Sequence, residues 1–282
     1  MTTAHVMACI DGSAFATTVC DYAAWASRRL DVPLTFVHVL DKARATQSDL
    51  SGNIGLGSRE HLLEELASLD EKRARIAQEQ GRIMLDAAVE RAREDGVADA
   101  HCRQRNGELV EALAELEGEI RLLVLGKRGE STSEHMGSNL ERVVRALHRN
   151  ILIAGKEYRE PQRVMLAFDN SATTRRGMET LAASPLFKGL ECHLVTVGDE
   201  NSEIVREGLP WAERLLNDAG LSVTAATRTG HVEEALDQYV HDNAIDMIVM
   251  GAYGHSRIRH LLVGSTTTAM MRKADVPMLL MR

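Results

Sequence analysis

Cysteine is scarce in this 282-residue chain, and the four present, Cys9, Cys20, Cys102 and Cys192, stand isolated. No Cys-x-x-Cys or His-x-Cys spacing occurs, which leaves no zinc-ligand or redox motif. Cysteines so placed behave as small buried hydrophobes in a reducing compartment. Aromatics are few as well, with 4 Phe, 4 Tyr and 2 Trp, so the 12 Met are expected to fill core space. No long apolar run exists: stretches such as Met247-Ile248-Val249-Met250 fall far short of the roughly 20 residues that span a bilayer. The opening Met1-Thr2-Thr3-Ala4-His5 lacks the basic and then apolar pattern of a secretory signal. Positive charge is not in excess either, 33 Lys and Arg standing against 41 Asp and Glu for a net charge of -8. A general duplex-binding or membrane-surface protein needs the opposite balance. The expectation is a cytoplasmic protein with neither a nucleic-acid nor a membrane partner.

What the chain does contain is a repeat. Val6-Met7-Ala8-Cys9-Ile10-Asp11-Gly12-Ser13-Ala14 resembles Val164-Met165-Leu166-Ala167-Phe168-Asp169-Asn170-Ser171-Ala172, 158 positions later. Val37, Val39 and Asp41 match Val195, Val197 and Asp199 at the same offset. Farther on, Glu111-Ala112-Leu113 matches Glu234-Ala235-Leu236, and Gly137-Ser138 matches Gly264-Ser265, at offsets of 123 and 127. An ordered series of this kind predicts a tandem duplication with about 35 extra residues in the first copy. The boundaries are set at 1–156 and 162–282, around the polar stretch ending in Pro161. In each copy, short runs that are apolar on both faces alternate with helical patterns. That predicts an α/β fold of two tandem doubly wound domains, each a parallel sheet flanked by helices.

The extra segment, about 41–78, carries Leu62, Leu69, Ile76 and Ile83 at intervals of seven. A stripe of this kind either docks a partner or a second subunit, or lies on its own domain. The usual behaviour of amphipathic surface helices favours the second.

The chemistry concentrates in the loop after the fourth strand of the second copy. Gly251 and Gly254 let the backbone turn close to a ligand. Arg257 and Arg259 follow with no acidic residue between them, and Gly264-Ser265-Thr266 opens a helix of roughly 266–273. Free N–H groups, the positive end of the helix dipole and two hydroxyls favour an anion there. In doubly wound sheets ligands sit beyond the carboxyl ends of the strands. Asp169 and Val197 end the first two strands of this copy, and the backbone of Val197 suits a purine edge. The plainer role for Asp11 and Asp169 is capping the helices that begin nearby.

Taken together, the strand-one Asp, strand-two Val and the Gly-x2-Gly-x9-Gly-Ser pattern resemble the universal stress protein family, in its ATP-binding branch. The resemblance covers both copies and so points to the tandem members. It implies five parallel strands per domain, ATP held by the loop with or without Mg2+, and domain pairing through the last strands near Asn150–Ala154 and Met278–Met281. A protein partner or a homodimer is compatible with it. The first copy departs from the motif: Gly129 and Gly137 are separated by only seven residues, Glu130 and Glu134 offset Lys127 and Arg128, and Asn139 replaces Thr266. Asp11, Val39, Gly126, Gly129, Gly137 and Ser138 are its candidate contacts. There is no Gly-x4-Gly-Lys-Ser/Thr loop and no Gly-x-Ser-x-Gly elbow. An ATP-binding regulatory protein of the stress response with weak ATPase activity at most is the favoured function. A slow ATPase or nucleotidyl-transferring enzyme, or a scaffold using its inserted helix, are the alternatives.

Overall fold

The computed structural model describes residues 4–40, 56–129, 138–252 and 264–282. Ten strands form one sheet: β1 His5–Cys9, β2 Leu34–Leu40, β3 Ala100–Asn106, β4 Ile120–Gly126, β5 Ile151–Ala154, β6 Arg163–Ala167, β7 Glu191–Val197, β8 Ser222–Arg228, β9 Met247–Gly251 and β10 Met278–Met281. Their spatial order is β3-β2-β1-β4-β5-β10-β9-β6-β7-β8. Each half therefore repeats the order 3-2-1-4-5, with every pairing inside a half parallel. The halves meet at β5 and β10, which pair antiparallel with Leu279 opposite Leu152.

Helices fall on both faces: α1 Ala16–Leu30, α2 Leu56–Glu94, α3 Leu109–Leu116, α4 Ser138–Ala146, α5 Ala172–Ala182, α6 Leu209–Asp218, α7 Val232–Asp242 and α8 Ser265–Lys273. Successive strand residues point to opposite faces, and the central strands are apolar on both. In β1, Val6 and Ala8 join one core and Met7 the other. The first core holds α1, the root of α2, α5 and α6, with Leu152 and Leu279 bridging the halves. The second holds α3, α4, α7 and α8, bridged by Ile151, Ile153, Met278 and Leu280. Each core thus runs unbroken across the seam.

The long helix corrects one expectation. From Leu56 onward the extra segment is part of a single helix of 39 residues, α2, and residues 41–55 lie outside the described residues. The matching position in the second half has only a π-helical turn, Ile204–Gly208, and the 10-residue α6. Glu, Ala, Arg and Leu dominate α2, all good helix formers. Pairs such as Arg75–Glu71 (2.6 Å) and Arg82–Asp86 (2.9 Å) support it along its length. Its C-terminal part is rooted by Leu85, Ala88, Val89 and Ala92 in the first core. Arg91 also donates to both carboxylate oxygens of Asp21 on α1, at 2.5 and 3.1 Å. At Gly81 an added Cβ would lie 2.4 Å from Nε2 of Gln104 and 2.6 Å from the His38 ring, so a larger residue there would displace both side chains. Beyond that root the stripe does not lie on its own domain: Leu69, Ile76 and Ile83 are 49%, 59% and 56% exposed. They point away from the face that carries Leu85 and Ala88, since residues two apart on a helix lie about 200° around it. The side chain of Leu62, the first member of the stripe, is outside the described residues.

Candidate functional site: the ends of β6, β7 and β9

In the second half the three predicted strand ends come together because β6 pairs with both β7 and β9. Asp169 follows β6 by two residues. Its Oδ1 accepts from the Ser171 N–H (3.0 Å) and the Thr174 hydroxyl (2.6 Å). Ser171 itself is the N-cap of α5 and accepts from the Thr174 N–H. The cap of α5 is thus Ser171 and not Asp169, which corrects the plainer expectation; the carboxylate instead forms a turn with Ser171 and Thr174 that holds its side chain in a fixed position at the strand end. Beside it Asn170 takes φ of 60°, a left-handed conformation that Asn tolerates better than most residues. It accepts from Nε of Arg175 at 2.7 Å, and the Arg175 guanidinium lies 4.5 Å from the Trp211 ring centre. Trp211 also faces Phe168 at 6.3 Å. These residues pack on one another beside the end of β6.

Val197 is the last residue of β7. Its neighbours fix the direction of its backbone: Phe168 N–H donates to the Val195 carbonyl (2.9 Å), while Gly198 N–H donates to Arg228 (2.8 Å). Backbone groups alternate sides along a strand, so the Val197 N–H and C=O face the β6 side, past the point where β6 has ended. Val39 repeats this in the first half, between Ile10 N–H bonding to Val37 and Gly107 N–H bonding to Leu40.

Gly251 ends β9. The next residue, Ala252, accepts from the Gly264 N–H at 3.2 Å, closing the base of the loop. Gly264 is the N-cap of α8 and provides no side-chain hydrogen bond to it; Ser265 and Thr266 are the first two residues of the helix. Among the described residues its opening N–H groups thus have no side-chain cap, and a helix start is where an anion is best stabilised. Gly254, Arg257, Arg259, His255 and His260 lie outside the described residues. One contributor was missed from sequence: the buried Thr267 hydroxyl donates to the Gly251 carbonyl at 2.8 Å and locks the helix start to the strand end. Its only sequence signal is the run Ser265-Thr266-Thr267-Thr268, which does not reveal which hydroxyl turns inward.

The first half brings its equivalents together differently. Asp11 Oδ1 accepts from Ser13 N–H at 3.1 Å, and its other oxygen lies where a Cβ on Gly129 would be only 3.2 Å away. The loop backbone therefore closes down on the carboxylate. Phe15 packs against Gly126. Lys127, read as part of a neutral loop, instead sends its ammonium across the seam to the carbonyl of Ala274 at 2.7 Å, and burial lowers its pKa. Glu130, Glu134 and Gly137 lie outside the described residues; Ser138 opens α4, with its side chain likewise outside them.

Of the four cysteines expected to be buried, Cys102 is exposed on β3. Burial pushes the thiols of Cys9 and Cys20 up to about 12 and that of Cys192 up to about 11, so they carry no thiolate at neutral pH. His193 is buried on β7, where Nδ1 meets the Tyr239 hydroxyl at 2.7 Å and Nε2 meets Glu191 at 3.0 Å. It is a packed residue of the core. Among the described residues no group of three or more His, Cys, Asp or Glu is placed to hold a metal, and no helix is long and apolar enough to cross a membrane.

The sequence matches the model of the universal stress protein family over residues 2–154 and 198–282. A universal stress protein of Synechocystis sp. is 36% identical over 285 residues, covering 99% of each chain. Among solved structures, a universal stress protein of Archaeoglobus fulgidus superposes with a TM-score of 0.64 at 19% identity, over 98% of this chain and 97% of its own. A Pseudomonas aeruginosa protein described as functionally unknown gives 0.61 at 13% identity, over 99% and 92%. At those identities the two structures bear on the fold.

Proposed function

The chain belongs to the universal stress protein family, and on that premise we propose that it binds ATP in its second half and acts by nucleotide-dependent association with other proteins. The observation that carries the reading is the start of α8 at Gly264, which has no side-chain cap among the described residues, is tied by Thr267 to the end of β9, and follows a strand that pairs with β6. In this reading Gly264, Ser265 and Thr266 receive the phosphates, with Gly251 and Gly254 letting the backbone approach and Arg257 supplying positive charge. The Val197 backbone meets the purine edge. Asp169 lies on the sugar side, since a carboxylate beside a triphosphate would repel it. Magnesium, if used, arrives with the nucleotide.

Regulation is favoured over catalysis because efficient hydrolysis needs a group that orients water in line with the terminal phosphate. Asp169, the carboxylate at the end of β6, is engaged with Ser171 and Thr174. Turnover should stay well below about 1 per second, the low end of ordinary enzymes.

The test is Gly264→Asp, which adds a negative charge where phosphate meets the helix. Calorimetry should show ATP binding lost while circular dichroism shows the fold retained. Unchanged affinity in that variant overturns the assignment. Magnesium-dependent turnover at or above about 1 per second, abolished by the same change, makes the protein an enzyme instead.

A further inference from the structure

The stripe on α2 is the largest feature that nucleotide binding leaves unused. From Glu64 to Gln80 every side chain of this helix is half-buried or exposed, and the root begins only at Gly81. Leu69, Ile76 and Ile83 make three of the four most exposed large hydrophobic residues described. They share one face over about 20 Å, at roughly 1.5 Å per residue. Leaving such a row in water is unfavourable, and none of the described elements covers it.

We infer that the occupant is a second copy of this chain, its α2 packed antiparallel about a two-fold axis at Ile76. Charge complementarity selects both the partner and the direction. With Ile76 against its own copy, Leu69 meets Ile83 of the other helix, and both ends of the stripe are covered at once. On one flank Lys72 then comes opposite Glu79, twice by symmetry; on the other flank Arg73 comes opposite Gln80. A parallel pairing instead sets Arg73 against Lys72 of the other copy, like charge against like. The antiparallel register leaves Glu65 and Asp86 near each other only at the outer ends, where water and salt screen them. Such self-complementarity is what a two-fold interface requires, because one patch must serve as both surfaces. The face opposite the stripe carries the root of the helix, so the domains stand on the outer sides of the pair. A contact of this length is smaller than the roughly 1,600 Å² of a standard interface, so dimerisation is concentration-dependent.

Sedimentation of the full chain over a range of concentrations tests this. The mass should rise toward that of a dimer, and Ile76→Glu, at an exposed position where folding is unaffected, should weaken association at least tenfold. Lys72→Glu should weaken it less, and adding Glu79→Lys should restore it. In a Cys102→Ser background, Ile76→Cys should form a disulfide-linked dimer under oxidation. Leu69→Cys alone should not, whereas a mixture of Leu69→Cys and Ile83→Cys proteins should. A monomer at every concentration overturns the inference, as does a dimer indifferent to Ile76→Glu. Self-linking of Leu69→Cys overturns the antiparallel arrangement.

Discussion

The two halves share a strand order and differ in the loops beyond their fourth strands. After Gly251 the second half has Ala252, small and buried, whose backbone closes the loop base. After Gly126 the first half has Lys127, whose side chain is spent on the Ala274 carbonyl across the seam. Thr267 fastens α8 to the end of β9, whereas the matching residue of α4 is Leu140, buried in the second core. The Gly129 backbone sits against Asp11. A doubly wound sheet therefore tolerates wide variation in this loop, because the strands are held by apolar packing on both faces. An anion site does not tolerate it, because it depends on a few N–H and hydroxyl groups being left open.

The largest effect expected bears on whether the halves are separate bodies at all. Leu152 bridges them in the first core, so Leu152→Ala should cost about 2–5 kcal/mol. Urea unfolding should remain one transition, since both cores cross the seam; two resolved transitions would mean that each half stands alone. Next comes the contrast in binding. ATP titration should give one tight site per chain, or two sites differing at least tenfold, which is about 1.4 kcal/mol. Two equal sites would show that loop length and charge do not decide affinity.

A smaller effect is expected at the root of the long helix, which only the first half possesses. Asp21 is buried while Arg91 is half-exposed, so Asp21→Asn should cost about 1–2 kcal/mol, between the surface and buried limits. Equilibrium unfolding measures it. The smallest is Thr267→Val, which removes one hydrogen bond, worth about 1 kcal/mol. It should weaken ATP binding several-fold by loosening the helix start, while Leu140→Thr in the first half should leave binding unchanged. Equal effects of the two substitutions would erase the distinction between the loops.

Most of the fold was legible because parallel strands covered on both faces must be apolar on both faces. Runs such as Met247-Ile248-Val249-Met250 and Met278-Leu279-Leu280-Met281 stand out against the polar helices between them. Both became strands, and the start expected for α8 was off by one residue. The length of α2 was less legible: its sevenfold stripe is equally compatible with packing inward, and only the three-dimensional position of Gly81 shows where the body ends. In the candidate site, the places of Val197, Gly251 and Gly264 at strand and helix ends, and of Asp169 just past β6, were legible in the sequence. Those of Thr267 and Lys127 were not. The partner of each is a carbonyl brought near by tertiary packing, and no spacing in the sequence records it.

The antiparallel pairing of β5 with β10 has a directional consequence. Strands of the first half run opposite to those of the second, so their carboxyl ends open on opposite edges of the sheet. The strand ends at Asp11 and Asp169 thus face opposite ways, on strands five steps apart in the sheet, about 24 Å at roughly 4.8 Å per step. Nothing held at one can be handed to the other, and one substrate cannot touch both. A single chain presents two distinct poles, so the proposed nucleotide site in the second half leaves the strand ends of the first half facing elsewhere.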